Sequence, residues 1–563
     1  YGSDLEVTAL VDNRDMWFIP MVNPDGYEYN YSHDPNGGGM QRKNRLPGCP
    51  ASSYRGVDPN RNYGFNWDYD NQGSSGDMCN QTYRGAAAFS EVETQAVRDF
   101  VIAHDFKIAL NYHAYGNLLI MPSGAIPGEL PPDPDLAIFQ DFGIEMTNYN
   151  NYFFGTDMET VNYAVNGDSD SWMYNDQGII SFTPEVGNSN DGFWPSSDRI
   201  LPIAEENLNA NLFAAWSVGP SYQSTVYFND ESFLPGNSYP FGLTVMNRGL
   251  SQSQSDVQLS VQILGDATAD LEPLDLSPLD PRESVDLGLI TNFAISDAAQ
   301  NGDMLTFIVS AADAQDFTFS DTTVLRIGVP SVAFADDAES GTALWQTDNW
   351  NISENSFEGA YSFTDSPGGD YANNTNTSMT LIEPFDLSQS VYAYLQAEIS
   401  WDIENKYDFA QVWASTNGVN WTSLQGNYTE SGSGFGVQVP GEFGYDGQSD
   451  WVEDFLLLDF LLLDEFSGAS AVWLKFTLAS DGGVHGDGIY VDNLRVMSYN
   501  QVPLPGDLDD NGELNVVDIV IMVNFILGVD TPTPAEETIA DINFDGAINI
   551  LDVIALLNNI LGN

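Results

Sequence analysis

Up to about residue 219, short apolar runs alternate with amphipathic stretches. MWFIPMVN (16–23), FKIALNYH (106–113) and GIISFTPE (178–185) are too short for helices and rich in β-formers, so they read as strands. Between them VETQAVRDFVIAH (92–104) has helical periodicity, and Ser90 with Glu93 three residues on reads as its capping box. SDRILPIAEENLNANLFAAWSVG (197–219) reads as one long amphipathic helix. YGSDLEVTALVDNRD at the start reads as the end of a helix entered partway, which predicts a mature or truncated chain. The pattern predicts an α/β domain over 1–219.

After Gly219 the period drops to two. TVYFND, YPFGLTVMN, DVQLSVQIL and MLTFIVSAA are alternating runs punctuated by Gly, Pro, Asn and Asp, which predicts a β-sandwich over 220–329. A second all-β sandwich or jelly roll is predicted over 330–500, ending in GIYVDNLRV. DFLLLDFLLLDEF (454–466) within it reads as a small structural duplication. A helical unit over 503–563 contains a true repeat: DLDDNGELNVVDIVIMVNFILG from Asp507 recurs as DINFDGAINILDVIALLNNILG from Asp541, 34 positions later, across the linker PTPAEE. A chain of 563 residues is long enough for such separately cored units.

Sixteen Lys and Arg against 82 Asp and Glu give a net charge of −66, which repels nucleic acid and anionic membrane. With 42% hydrophobic residues the charge must coat folded domains, suited to salty or calcium-rich surroundings. No apolar run is long enough to span a membrane. The two cysteines, Cys49 and Cys79, form either one disulfide of an oxidising, secreted environment or two buried thiols.

Each copy of the repeat sets oxygen-bearing side chains at the spacing a hard cation needs, with a glycine for the sharp turn. The first copy offers Asp507, Asp509, Asn511, Gly512, Asn515 and Asp518, with Glu513 at loop position 7. The second offers Asp541, Asn543, Asp545, Gly546, Asn549 and Asp552, with Ala547 at that position. Agreement in register over both copies predicts two Ca²⁺ ions. With Asp at position 12 and one helix after each loop, the segment resembles a type I dockerin, which implies a cohesin-like or other surface partner. It departs at positions 10 and 11, where dockerins carry hydroxyl residues and this chain has Val516, Val517, Ile550 and Leu551.

Several residues of the first domain carry candidate chemistry, each with a plainer alternative. Asn60-Arg61 offers an amide beside a guanidinium, suited to gripping a carboxylate, or an ordinary surface ion pair. Arg42 stands with Lys43 and Arg45 as either a solvated basic loop or a fixed cation for an oxyanion. Glu185 ends a buried strand as a solvated carboxylate or a general base. Asp168, Ser169 and Asp170 either cap the helix beginning near Ser171 or line a pocket.

In order, IPMVNPDGYEY, MQRKNR with GVDPNRNYGFNW, NYHAYG, and NYAVNGDSDSW with SFTPEVG resemble the zinc carboxypeptidases of the carboxypeptidase A/B family. That resemblance implies an α/β fold with a mixed sheet and hydrolysis of the last peptide bond of a peptide or protein. It implies Arg42 on the scissile carbonyl, Asn60, Arg61 and Tyr163 on the terminal carboxylate, and Glu185 as the base acting on zinc-bound water. Asp170 takes the position that sets side-chain preference, where an Asp implies C-terminal Lys or Arg. Cys49 and Cys79 match a bridged pair, and Asp58 matches a carboxylate that orients a zinc-bound histidine.

The resemblance implies one Zn²⁺, held by an H-x-x-E pair and a later histidine, for which His113 fits. His33, His104 and His485 do not stand three residues before a Glu, so the chain contains no H-x-x-E. Truncation of an active enzyme is the expectation, with the fragment inactive alone; a pseudo-enzyme or scaffold acting through its β regions and calcium module is the alternative. The opening ADDAES and closing YVDNLRV of the second β region resemble MAM-like jelly rolls, where Asp337, Glu339 and Asp492 could share a calcium ion.

Overall fold

A computed structural model describes residues 1–50, 55–150, 152–458, 466–500, 504–509, 513–543 and 545–561. The first region is built on a four-stranded mixed sheet of order β1-β4-β2-β3. Its strands are β1 (Ile108–Leu110), β2 (Leu118–Met121), β3 (Phe153–Thr156) and β4 (Ile180–Glu185). β1 runs parallel to β4, β4 antiparallel to β2, and β2 parallel to β3. Because successive strand side chains point to opposite faces, Ile108 and Leu110 pack with one core and Ala109 with another. The first core holds α4 (Asp135–Thr147) and α8 (Leu208–Val218) through Phe139, Phe142, Met146, Ala210 and Ala214. The second holds α3 (Val92–Ile102) and α6 (Ser169–Gln177) through Val97, Val101, Trp172 and Met173.

Several local expectations fail for identifiable reasons. Helix α1 (Leu5–Asn13) is not entered partway: the Asp4 carboxylate accepts from Val7 N at 2.9 Å and caps it within the chain. MWFIPMVN forms no strand, since among the described residues it pairs with no neighbour, and Trp17 and Phe18 are 58% and 83% exposed. The NPDGYEY stretch after it enters α2 (Pro24–His33), capped by Asn23. Ser90 does not cap α3, whose N-cap is Glu91 without a side-chain bond; the Ser90 hydroxyl instead donates to Glu91 and accepts from Asn62. The segment 197–219 breaks into α7 (Ile200–Glu206) and α8 at Asn207, whose buried amide bonds Tyr152 Oη and Ile203 O. α5 (Asp157–Thr160) is a single turn after β3.

Two four-stranded antiparallel sheets follow, one containing Tyr222–Phe228 and Ser238–Asn247, the other Val257–Leu264 and Met304–Ala312. Their inward residues, among them Phe241, Leu243, Phe293, Leu305 and Phe307, make one fully buried core. Arg248 ties this sandwich to α4, 2.6 Å from Asp141 and 2.9 Å from Glu145. A six-stranded and a five-stranded sheet then enclose a larger aromatic and aliphatic core from Trp345 to Val496. Asp454 of the DFLLL duplication is buried against Tyr445 Oη at 2.7 Å, and 459–465 lie outside the described residues.

The predicted trio Asp337, Glu339 and Asp492 does not converge as a three-carboxylate group. Backbone amides occupy these carboxylates instead: Glu339 accepts from Ala360 and Tyr361, Asp492 from Phe357 and Glu358, and Asp337 from Glu339. At the C-terminus, α9 (Val516–Leu527) and α11 (Ile550–Leu561) follow the two loops. The linker is not extended but carries α10 (Pro534–Ala540), with Thr533 and Glu536 as a capping box. No described helix is long and apolar enough to cross a membrane.

Candidate active site

The strap 41–45 is zipped to 55–62. Asn44 N donates to Val57 O at 2.9 Å, and Val57 N donates back to Asn44 Oδ1 at 2.8 Å. Gly56, at φ +108°, permits this approach, since a Cβ there would fall 1.8 Å from Asn44 O. The Cys49–Cys79 disulfide closes the loop from the other side. Lys43 is fully buried and donates to Met78 O and Asn80 O, while Arg45 stacks 3.8 Å over Tyr29. The strap is therefore not a solvated basic loop. Arg42 is half exposed, 2.7 Å from the buried carboxylate of Asp58, which raises the guanidinium's pKa further.

Asp58 also starts the single 3₁₀ turn Pro59–Arg61 by accepting from Asn60 N at 3.2 Å. Asn60 Oδ1 accepts from Ser169 N at 3.0 Å, and its amide nitrogen lies 3.4 Å from His113 Nε2. Arg61 is only 4% exposed; its Nη1 donates to Asn60 O at 2.6 Å, but its buried Nε finds no acceptor. Among the described residues it makes no ion pair. A buried guanidinium so placed offers an unmet hydrogen-bonding demand to an incoming anion.

Three residues beyond β1, His113 makes an isolated parallel bridge with Glu185 at the end of β4, with His113 N donating to Pro184 O and Val186 N to His113 O. Burial, reinforced by the charge of Arg42 and Arg61, lowers His113 to about 4, so its imidazole is neutral at pH 7. Burial raises Glu185 to about 7 against the opposing pull of the same arginines, a poise suited to taking and returning a proton. Tyr163, 52% exposed, lies near enough to Arg42 to act on its charge.

Behind these groups Asp168 caps α6, accepting from Ser171 N at 3.0 Å, which leaves the neighbouring carboxyl of Asp170 without the capping task. Asp170 is buried beside Asp168 and Asp157, and burial followed by the Asp168 charge pushes it well above the usual carboxylate range. Asp157 is raised to about 8 by burial and by Asp168, with Arg61 opposing. Sequence reasoning missed Asp157; its only signal was an acidic residue in the first turn of α5.

The profile of the zinc carboxypeptidase family matches residues 1–210, and that of the dockerin type I domain matches 505–561. A zinc carboxypeptidase of Simulium vittatum is 33% identical over 36% of this chain and 67% of its own length. Carboxypeptidase B of Astacus astacus is 31% identical over 38% of this chain and 70% of its own length. Carboxypeptidase A1 of Bos taurus is 34% identical over 37% of this chain, which spans 48% of that protein. The chain belongs to the zinc carboxypeptidase family.

A neutral histidine at a strand end fits one ligand position of the family's zinc ion. No group of three His, Cys, Asp or Glu donors among the described residues includes His113, so the described residues do not complete the set. Arg42, Asn60, Arg61, His113 and Glu185 come together: the Asn60 amide lies 3.4 Å from His113, and the charges of Arg42 and Arg61 act on both His113 and Glu185. Asp58 holds Arg42 at 2.7 Å.

The dockerin-matching segment brings Asp507, Asp509 and Asp518 within 4.8 Å of one another. Asp518 and Asp552 are fully buried and accept from Asn515 N and Asn549 N, each at 2.8 Å. In the second loop Asp541 accepts from Asp545 N and Gly546 N, and Asn543 from Asp545 N. Asn515 and Asn549 donate to the carbonyls of Glu513 and Ala547. Asn511 and Gly512 lie outside the described residues. Val516, Val517, Ile550 and Leu551 are all exposed.

Proposed function

We propose that the protein is an extracellular carboxypeptidase that removes C-terminal Lys or Arg. Arg61, with Asn60 and Tyr163, holds the terminal carboxylate; Arg42 steadies the negative charge that develops on the scissile carbonyl oxygen. Glu185 takes a proton from the attacking water and delivers it to the departing amine. Asp170, with Asp157 and Asp168 beside it, receives the cationic side chain, whose charge would relieve the repulsion among the three carboxyls.

The observation that carries this reading is Arg61, buried and without an ion pair among the described residues, near enough to Glu185 for its charge, like that of Arg42, to act on it. The disulfide, the acidic surface and the dockerin match support an extracellular setting, in which segments near 220–329 and 330–500 are accessory β domains. The terminal repeat holds two calcium ions and docks to a cohesin-like or other surface partner, with this chain alone inactive for want of H-x-x-E. The test is release of C-terminal Lys, Arg or Phe by the zinc-loaded protein carrying an H-x-x-E segment ahead of Tyr1, with and without chelator. Chelator-sensitive release of Lys and Arg is expected; absence of any release defeats the reading.

A further inference from the structure

Away from the peptidase site, two loops of the larger β region bring three carboxylates together. Glu404 and Asp408 lie between the strands Ser390–Ile403 and Phe409–Ser415, and Asp481 follows the strand Trp473–Ala479. One oxygen from each lies within 4.8 Å of the others. That is close to the distance across a calcium coordination sphere, about 5 Å for oxygens at 2.3–2.6 Å from the ion.

Acidic side chains gather on many surfaces without a ligand, and this chain has a large surplus of them. This trio differs in its unmet bonding. Asp408 is wholly buried; its Oδ1 accepts from Asp481 N at 2.7 Å, while its Oδ2 accepts no hydrogen bond. Glu404 Oε2 is likewise buried without a donor. The Tyr371 hydroxyl accepts from Glu404 N at 2.9 Å and offers its own proton to Asp408, and Asp481 accepts from Gly483 N at 2.7 Å. Two orphaned anionic oxygens in a group of three carboxylates are costly unless a cation or a shared proton sits among them.

No Lys or Arg among the described residues makes an ion pair with any of the three. Lys406, within the same loop, places its Nζ 3.4 Å over the Phe153 ring instead. His485 pairs with Asp370 at 3.2 Å. Backbone bonds fix the geometry: Asp408 N donates to Glu404 O at 3.2 Å, and Asp408 O accepts from Gln438 at 2.8 Å.

We propose that Glu404, Asp408 and Asp481 form a calcium site that clamps these two loops of the β region. An all-oxygen, all-carboxylate donor set selects a hard divalent cation over zinc, and partial exposure of Glu404 and Asp481 leaves room for the waters that complete six to eight ligands. Affinity in the range of extracellular modules, roughly 0.1–1 mM, follows from three rigid carboxylates.

The experiment is equilibrium dialysis of radioactive calcium against the full-length chain carrying Asp518→Asn and Asp552→Asn, which disable the terminal repeat. Adding Asp481→Asn, at a partly exposed position, is expected to remove one equivalent or weaken it at least 10-fold, with near-UV circular dichroism unchanged. Glu404→Gln gives the same loss independently. If the parent variant binds no calcium, or if neither added substitution alters its binding, the proposal is overturned and the orphaned oxygens share a proton. Because the repeat is disabled throughout, failure here is distinct from failure of the terminal calcium loops.

Discussion

Arg42 Nη2 lies 2.7 Å from Asp58 Oδ2, and it is the carboxylate, 4% exposed, that is buried while the arginine is 48% exposed. Asp58 is thus an anchor and Arg42 the presented charge. In the zinc-loaded protein carrying the H-x-x-E segment, Arg42→Ala should lower kcat by about 10²–10³ with KM little changed, as for loss of an oxyanion donor. Asp58→Asn keeps an acceptor but loosens the anchor and should cost about 10-fold in kcat. Steady-state kinetics on a peptide ending in Lys separate the two; a rise in KM alone would make Arg42 a binding residue.

Asp157 is buried close enough to Asp170 for its charge to act on it, so single substitutions should understate the charge at the proposed cation site. Asp170→Asn is expected to reduce the Lys-over-Phe ratio of kcat/KM by roughly 10-fold, and the Asp157→Asn, Asp170→Asn double variant by about 10²-fold. Release of C-terminal Phe serves as the internal control. An unchanged ratio in the double variant places the cation elsewhere.

The family of the first region was legible because Asn60-Arg61, Arg42, His113 and Glu185 sit in short stretches whose order and spacing resemble it. What was not legible depends on contacts between distant segments. Lys43 looks like one of three solvated cations, yet it is buried because the carbonyls of Met78 and Asn80 replace its water. Asp157 carries no local pattern, and its role emerges only when β3 delivers it beside Asp168. MWFIPMVN has strand composition, but composition without a neighbouring strand makes no ladder. Glu404, Asp408 and Asp481 are separated by 77 residues from first to last, and only the sheet order unites them.

The disulfide spans a separation of 30 residues and closes the loop 49–79, which holds Asp58, the partner of Arg42, and Met78, whose carbonyl accepts from Lys43. Replacing both Cys49 and Cys79 with Ala should destabilise the first region by about 2–4 kcal/mol through unfolded-chain entropy. Denaturant melts followed by tryptophan fluorescence check this. The β regions, with separate cores, should keep their transitions.

Asp365 supplies a pH-dependent component in the larger β region. It is buried, its Oδ1 accepts from Ile489 N at 2.8 Å, and its Oδ2 has no donor. Burial raises it to about 7, so the folded state binds a proton that the unfolded chain releases near pH 4. The resulting stability is fully present below about pH 4 and is lost as pH rises through about 7, on the order of a few kcal/mol. Asp365→Asn, which cannot ionise, should flatten this component. Thermal melts from pH 4.5 to 8 should therefore show wild type losing ground to the variant as pH rises, and parallel curves would contradict the assignment.

Calcium removal should act on the terminal repeat through Asp518 and Asp552. Each is fully buried, and each folds its loop back on itself: Asp518 accepts from Leu508 N and Asn515 N, Asp552 from Asn543 N and Asn549 N. The apolar core uniting α9, α10 and α11 has few wholly buried members, Leu508, Met522, Ala540 and Leu556. So small a core rarely holds clustered carboxylates together unaided, and a cation among Asp507, Asp509 and Asp518 would turn their mutual repulsion into a tie. Chelation should therefore open 504–561 to protease at a rate raised roughly 10-fold or more, with the β regions left resistant. Asp518→Asn should show the same cleavage even in calcium. Equal resistance with and without chelator would mean that the capping boxes and the core suffice, and that calcium at this end serves docking rather than folding.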